Sequence, residues 1–159
     1  MKKEVQLLIY DLDGTLIDSA ADIVNAVNHM RNKLGHPPLL KKQVIEYIGV
    51  GVRNLVERSL GPENQSQCKQ GLKILKNYYS EHLLDHTVLY PDVVQVLEQF
   101  KTKKQAVLTN KPGAFTEKIL AGLHARDYFS YVISGDSGFP RKPSTSSIDH
   151  LIEKSGAER

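Results

Sequence analysis

The sequence predicts an α/β protein in which a parallel sheet is interrupted by an all-helical insertion. Short apolar runs end in polar residues and alternate with helical patterns, which is typical of buried parallel strands joined by helices. A long stretch of helical spacing, residues 19–87, separates the first strand from the next strand-and-helix region, whereas ordinary connections span only a few residues. We therefore predict an α/β core from residues 1–18 and 88–159, and a helical cap domain over the strand ends from residues 19–87.

The individual elements follow from the apolar spacing. Residues 5–10 form an apolar run that predicts the first strand. Within the insertion, apolar stripes ended by Gly or Pro predict four helices, around 19–34, 41–48, 55–60 and 66–84. In the second part of the core we expect strands at 105–108 and 131–134, with helices after Pro91, from 111 to 123 and from 146 to 154.

The composition excludes several classes of protein. Apolar residues make up 40% and charged residues 25% of the chain, which indicates a globular protein with neither disorder nor a membrane span. The net charge of +3 is scattered rather than clustered, so a nucleic-acid interface is not expected. The single cysteine, Cys68, allows no internal disulfide, and the N-terminus lacks a signal-peptide pattern. We expect a cytoplasmic protein.

Two acidic residues directly after the first strand are the strongest functional signal. Strand alternation sends Asp11 and Asp13 to the same side, where the two carboxylates repel unless a cation or a shared proton relieves them. Gly14 permits a tight turn beside a ligand. Ligand sites of open α/β sheets lie at this end of the strands, so the pattern predicts phosphoryl transfer. One carboxylate would be the nucleophile and the other a proton shuttle, with Mg²⁺ between them. An ordinary Asx-type turn is the structural alternative.

Two later polar residues also follow strands. Right-handed crossovers place the carboxyl ends of parallel strands at one edge, so Thr109 and Lys142 are expected near the acids. The Thr109 hydroxyl and the helix that starts after Pro112 would hold phosphoryl oxygens, and Lys142 would balance spread negative charge. Taken singly, Thr109 is equally an ordinary strand-end threonine and Lys142 a solvated lysine.

These segments resemble the haloacid dehalogenase-like hydrolases. Residues 11–16, Asp-Leu-Asp-Gly-Thr-Leu, resemble motif I of that superfamily, while Thr109 resembles motif II and Lys142 with Pro143 resembles motif III. Further segments are similar to the phosphoglycolate-phosphatase-like group with a helical C1 cap: 17–19, 48–53, 89–91 and 109–112. The resemblance implies a Rossmann-like core and Mg²⁺-dependent hydrolysis of a small phosphomonoester such as 2-phosphoglycolate.

The resemblance also implies roles for particular residues. Asp11 would form an aspartyl-phosphate, and Asp13 would protonate the leaving group and then activate water. Mg²⁺ would be held by the Asp11 carboxylate and the Asp13 main-chain carbonyl. The implied substrate-binding residues are Gly14, Thr15, Asn110, Gly49, Gly51 and Arg53. Arg53 is either a bidentate clamp for a substrate carboxylate or a surface residue at a helix start.

One family feature is missing from the sequence. The fourth motif, an acidic pair after another core strand, is not found; Gly135 and Asp136 resemble its opening but precede Lys142. Three predicted strands are also few for such a sheet, and the first would lie at an exposed edge. We therefore expect that C-terminal core strands are missing, that the Mg²⁺ shell is incomplete, and that the chain can associate through the exposed edge.

Alternative functions remain open from the sequence. The same core could support another phosphotransfer reaction, as in a sugar-phosphate mutase, a pyrophosphatase or a phosphonate-cleaving enzyme. A catalytically impaired chain could act only as a binding module. His82 and His86 have the spacing of metal ligands on a helix, but no third ligand accompanies them, and we interpret them as residues of the polar face.

Overall fold

The computed structural model describes residues 4–158 and has helices on both faces of a parallel sheet. The strands are β1 (Leu7–Tyr10), β2 (Ile17–Asp18), β3 (Val88–Leu89), β4 (Lys104–Leu108) and β5 (Tyr131–Ile133). The helices are α1 (Ala20–Lys33), α2 (Lys41–Ile45), α3 (Val52–Leu60), α4 (Cys68–Glu81), α5 (Val93–Gln99), α6 (Gly113–Gly122) and α7 (Ser146–Ser155), with 3₁₀ turns at Pro62–Gln67 and Arg126–Tyr128. The predicted α/β class with inserted helices is confirmed.

The sheet order explains how distant segments reach one edge. Strands β1, β4 and β5 pair in parallel in that order, and the register sets Tyr10 opposite Val107 and Leu108 opposite Ile133. The segments that follow the three strands therefore start side by side. Within the described chain β1 is an edge strand, and its residues are only half-buried although their apolar run resembles a fully buried strand.

A short antiparallel pair of strands, β2 and β3, was not predicted. Ile17 pairs with Leu89 and Asp18 with Val88. Two residues per strand are too few for a periodic signal in the sequence. The pair holds together the points where the chain leaves for the helical insertion and where it returns.

The helices of the insertion pack on one another and share an apolar cluster with the core. Helix α1 packs against α2, α3 and α4, and a continuous apolar cluster joins Val27, Met30 and Leu75 of the insertion to Leu97 and Ile119 of the core. A smaller cluster on the opposite face includes Ala106, Leu108, Ile133 and Leu151 of α7. None of the helices within residues 4–158 is long and apolar enough to span a membrane.

The region around α4 differs from the sequence expectation. A 3₁₀ turn occupies 62–67, and α4 ends at Glu81 rather than near residue 84. His82 and His86 therefore do not share a helix face. His82 Nδ1 lies 2.7 Å from Asp85 Oδ2, and His86 Nδ1 lies 2.8 Å from Asp22 Oδ1.

Candidate active site

The first acidic residue after β1 is paired with the predicted lysine. Lys142 Nζ lies 2.7 Å from Asp11 Oδ1, and the Leu12 N–H donates to the same carboxylate oxygen at 2.7 Å. Lys142 Nζ also donates to the Leu108 carbonyl at the end of β4, at 2.9 Å. The Asp11 side chain remains 43% exposed, so a ligand can reach its carboxylate.

The second acidic residue, Asp13, has a different partner that the sequence analysis missed. Its Oδ1 accepts hydrogen bonds from Lys111 Nζ at 2.9 Å and from Ser19 Oγ at 2.6 Å. Burial lowers the pKa of the Lys111 ammonium, but the neighbouring Asp13 carboxylate and Tyr79 raise it, and the net direction is upward. Lys111 is therefore a buried cation inside the site.

The two ion pairs relieve the repulsion between the acids. The sequence analysis expected a metal ion or a shared proton to do so, whereas each carboxylate has its own lysine, Lys142 for Asp11 and Lys111 for Asp13. The four side chains form a compact set of alternating charges at the carboxyl ends of β1 and β4.

Thr109 and Asn110 lie at the end of β4 and are both buried. Thr109 Oγ1 accepts the Lys111 N–H at 3.1 Å. The Asn110 amide donates to the Gly49 carbonyl at 2.8 Å and to the Lys142 carbonyl at 3.3 Å, and its Oδ1 accepts the Lys142 N–H at 3.0 Å. Both amide N–H groups and the oxygen are engaged by the protein, so Asn110 links the helical insertion to the Lys142 loop instead of facing a substrate as expected.

A cavity of about 60 Å³ lies between the strand ends and the insertion. Asp11, Asp13, Thr109 and Lys111 line it from the core, and Tyr47, Ile48, Val52, Leu55 and Tyr79 line it from the insertion. The Tyr79 ring packs edge-on against Phe115 of α6, with ring centres 5.2 Å apart. Most of the wall is apolar, so the charged groups at the strand ends define the polar part of the cavity.

Two predicted glycines border this cavity. Gly49 and Gly51 line it, with φ values of +101° and +96°. A Cβ on Gly51 would lie 3.0 Å from Arg141 Nη1. The bend between α2 and α3 therefore needs glycine both for its backbone angles and for the close approach of the core loop.

Four other predicted residues do not line the cavity, and one of them, Lys142, reaches it through its ion pair with Asp11. Gly14 forms the turn after β1, with φ of +80° and its N–H donating to the Ile17 carbonyl at 2.9 Å, while Thr15 is exposed. The Arg53 side chain is 76% exposed, and its Nε lies 2.9 Å from Glu57 Oε1. Arg53 lines a separate depression with Lys69 and Cys68.

The expectation that Arg53 faces the substrate is therefore not met in the structure. Helix α3 begins at Val52, so Arg53 and Glu57 are four residues apart on one helical face, where an acidic partner attracts the guanidinium along the helix. This local pair directs the side chain away from the cavity.

The oxygen atoms at the strand ends are the type of ligand that Mg²⁺ prefers. Mg²⁺ in phosphate-handling sites often takes one or two carboxylates, substrate phosphate oxygens and waters, and Asp11 can supply a carboxylate while the Asp13 main chain can supply a carbonyl oxygen. No group of three or more potential metal-binding side chains occurs in residues 4–158. Asp136 contributes nothing here, because its Oδ1 accepts the Gly113 N–H at the start of α6, at 2.8 Å.

The chain is similar to proteins of one enzyme family. A model of the haloacid dehalogenase-like hydrolases matches residues 8–159. A phosphoglycolate phosphatase from Chromobacterium violaceum is 32% identical over 98% of this chain and 73% of its own length, and one from Psychrobacter arcticus is 37% identical over 93% and 69%. A crystal structure of a predicted phosphoglycolate phosphatase from Haemophilus somnus superimposes with a TM-score of 0.92 at 28% identity, over 99% of this chain and 74% of that one.

These similarities cover the strand ends, the helical insertion and the Lys142 loop together. The match therefore includes the same segments on which the motif resemblance depends. The chain belongs to the haloacid dehalogenase-like hydrolases, alongside their phosphoglycolate phosphatases.

Proposed function

We propose that the protein hydrolyses a small phosphomonoester such as 2-phosphoglycolate, with Mg²⁺, through an aspartyl-phosphate on Asp11. The observation that carries the proposal is the pair of ion pairs at one cavity, Lys142 with Asp11 and Lys111 with Asp13. A half-exposed carboxylate beside a fixed ammonium suits nucleophilic attack on phosphorus, because the ammonium balances the charge of the transferred group.

The first half of the reaction transfers the phosphoryl group to the protein. An Asp11 carboxylate oxygen attacks phosphorus while the bond between phosphorus and the leaving oxygen breaks. Asp13 must bind a proton from solvent before this step; it then gives that proton to the leaving oxygen, so the alcohol leaves neutral and Asp13 becomes ionised. Lys142 and the Thr109 hydroxyl stabilise the phosphoryl oxygens.

The second half releases phosphate. Asp13, now ionised, takes a proton from a water molecule as its oxygen attacks phosphorus. The bond between the Asp11 oxygen and phosphorus then breaks, which restores both carboxylates. Ser19 and Lys111 hold Asp13 in place through both steps.

Mg²⁺ would be held by the Asp11 carboxylate and the Asp13 main-chain carbonyl, and when bound it supplies positive charge at the phosphoryl oxygens. The residues of the chain position the substrate, exclude bulk water and move the proton.

Residues 19–87 are proposed to act as a cap over this site. Apolar side chains of the insertion close the cavity, and Asn110 joins the Gly49 carbonyl to the core. A small cavity beneath the insertion favours a small substrate. A reducing cytoplasmic location is part of the same proposal and rests on the single cysteine.

Phosphate release from a panel of phosphomonoesters, with and without Mg²⁺, tests the proposal. We expect Mg²⁺-dependent release, and Lys142→Met should lower the rate by about 10²-fold because it removes a fixed transition-state charge. Lys118→Met, on the exposed side of α6, is the matched control and should leave the rate unchanged. Absence of release from every ester would contradict the proposal.

Binding of the esters without release would favour the non-catalytic binding module. The observation that favours a binding module is that residues 4–158 bring few acidic groups, and hence few metal ligands, to the site. No feature of the cavity favours a mutase, a pyrophosphatase or a phosphonate-cleaving enzyme.

A further inference from the structure

A side chain that lines the candidate active site carries a buried hydroxyl group without a regular hydrogen-bond partner. Tyr79 of α4 lines the cavity and is 4% exposed, yet its hydroxyl has no hydrogen-bond partner among residues 4–158. Burial raises the pKa of this hydroxyl, while the Lys111 ammonium acts in the opposite direction. Buried polar groups are nearly always hydrogen-bonded, because an unpaired one loses its interactions with water. The exception here lies in the wall of a ligand cavity.

A buried ammonium lies beside this hydroxyl. Lys111 Nζ is 4.9 Å from the centre of the Tyr79 ring. The ammonium is close enough to the hydroxyl for a weak hydrogen bond to act on the pKa values of both groups, but the pair falls short of the distance and angle of a regular hydrogen bond. An ammonium has three N–H donors, and the described protein acceptor of Lys111 Nζ is Asp13. Lys111 therefore retains donor capacity inside the cavity.

Both groups are hydrogen-bond donors that converge on one region, and one of them is cationic. A carboxylate matches this pair, because it accepts from two donors at once and forms its strongest hydrogen bonds with charged groups. The surrounding wall is apolar, so a bound anion there would be shielded from water.

We propose that Lys111 and Tyr79 form a second binding subsite, which takes a carboxylate at the end of the substrate remote from its phosphate. The inference rests on the proposed function, since the phosphate is assigned to Asp11 and Lys142. Asp13 contacts Lys111 directly, so the proposed subsite lies next to the phosphate site. A substrate that occupies both therefore has only a short spacer between its phosphate and its carboxylate.

The subsite also joins two parts of the molecule. Tyr79 belongs to the helical insertion, and Lys111 follows β4 of the core. A carboxylate held by both would keep the insertion closed over the phosphate. In this assignment Lys111 and Tyr79 select the substrate, the task that the sequence analysis gave to Arg53.

Binding calorimetry with two esters of similar size tests the proposal: 2-phosphoglycolate, which has the carboxylate, and ethyl phosphate, which lacks it. The measurements use the full chain with Mg²⁺ in an Asp11→Asn background, so that neither ester is consumed. Tyr79→Phe removes the hydroxyl alone and should weaken 2-phosphoglycolate about tenfold or more while leaving ethyl phosphate within about twofold. Lys111→Gln should reduce the ratio of the two affinities further.

Tyr78→Phe is the matched control, because the neighbouring Tyr78 stacks between His29 and His82 and does not line the cavity. It should change neither affinity. Equal loss of both esters on Tyr79→Phe, no loss of either, or no preference of the Tyr79 protein for 2-phosphoglycolate would overturn the subsite. Failure of both esters to bind would overturn it as well.

A separate result tests the proposed function. With Asp11 intact, release of phosphate from ethyl phosphate depends on the phosphate site and not on the carboxylate subsite. Release from ethyl phosphate together with no preference for 2-phosphoglycolate would retain the phosphatase and reject the subsite. Preferred binding of 2-phosphoglycolate without any release would retain the subsite and reject the phosphatase.

Discussion

At the scale of single residues, the site combines groups that stabilise the fold with one that does not. The lysines paired with Asp11 and Asp13 offset the charge of the acids, whereas the Tyr79 hydroxyl is buried without a hydrogen bond in the described chain. An unpaired buried hydroxyl lowers stability unless a ligand satisfies it. The Tyr79 hydroxyl is therefore expected to lower the stability of the free protein and to increase the affinity for a substrate that hydrogen-bonds to it.

Replacement of Tyr79 by Phe should consequently stabilise the free protein. We expect the free energy of unfolding to rise by about 1 kcal/mol, because the desolvation cost of the hydroxyl disappears while the ring and its contact with Phe115 remain. The melting temperature should rise by about 2–4 °C in a thermal scan without ligand. Tyr78→Phe should give no comparable increase, and a lower melting temperature for Tyr79→Phe would show that its hydroxyl has a stabilising partner.

The site residues that could be predicted from the sequence are those whose position relative to the strands is evident from the sequence. Asp11, Asp13 and Thr109 lie within three residues of a strand end, and Lys142 lies in the loop that follows β5, so the topology brings them towards one edge. Lys111 and Tyr79 could not be identified in this way, because their meeting depends on how α4 packs against the start of α6. For Arg53 the sequence left two roles open, a substrate clamp and a surface residue, and the structure has its side chain at the surface, paired with Glu57 one helical turn away.

At the scale of elements, a buried carboxylate fastens the ends of the insertion to each other. Asp22 in the first turn of α1 accepts hydrogen bonds from the His86 N–H, the His86 ring, the Thr87 N–H and the Thr87 hydroxyl, at 2.7–3.0 Å. Burial raises the pKa of Asp22, but these hydrogen bonds outweigh it and hold the pKa below the ordinary value of 3.8. These hydrogen bonds of Asp22 with His86 and Thr87, here called the Asp22 clasp, lie beside the β2–β3 pair, where the chain leaves and re-enters the core.

The clasp should contribute stability that depends on pH. Because the folded-state pKa of Asp22 is below its unfolded value, the contribution is fully present above the unfolded value and is lost as the pH falls through the folded one. We expect Asp22→Asn to lower the free energy of unfolding by about 2 kcal/mol at pH 7, and the difference from the unmodified protein to shrink below about pH 4. Urea unfolding across this pH range measures the effect.

Asp85→Asn serves as the control for the clasp. Asp85 is exposed and pairs with His82 at the surface, so its loss should have little effect at neutral pH. A difference between Asp22→Asn and the unmodified protein that stays constant from pH 7 to pH 3 would contradict the role of the Asp22 carboxylate.

Asn110 links two other segments, the Gly49 bend of the insertion and the Lys142 loop. In Asn110→Ala the Lys142 N–H loses its acceptor, so its amide should exchange with solvent faster, by about tenfold for a net loss of about 1.4 kcal/mol. Hydrogen exchange followed by mass spectrometry measures this change. Asn32→Ala on the exposed face of α1 should leave the exchange of Lys142 unaltered, and equal rates in Asn110→Ala would contradict the link.

At the scale of the whole molecule, the sheet ends at β1 within the described chain. The helix-and-strand alternation predicted the class of fold and the place of the insertion, since both depend on periodicities that extend over many residues. The β2–β3 pair, the 3₁₀ turn before α4 and the engaged side chain of Asn110 could not be predicted, because each depends on contacts between distant segments. The half-buried state of β1 follows from its edge position, which the apolar run alone does not reveal.

An edge strand offers unpaired backbone groups, so we expect the chain to associate through β1 at high concentration. Sedimentation velocity over a range of concentrations measures this. Val5 precedes the strand and is 51% exposed, and Val5→Glu should weaken association by placing a charge beside the edge. Val94→Glu introduces the same charge on α5, at a valine that is 46% exposed, and should have no such effect. A single monomeric species at all concentrations would contradict the expectation.

The central claim is that Asp11 is the nucleophile of a phosphatase, and the most direct measurement is the covalent intermediate itself. After brief reaction with 2-phosphoglycolate and Mg²⁺ followed by acid quenching, peptide mass spectrometry should find one phosphoryl group on Asp11. Asp11→Asn should carry none, while Asp136→Asn should still be labelled, because Asp136 caps α6 and takes no part in the chemistry. Phosphate release by Asp11→Asn at the unmodified rate, or a phosphoryl group on another residue, would contradict the account.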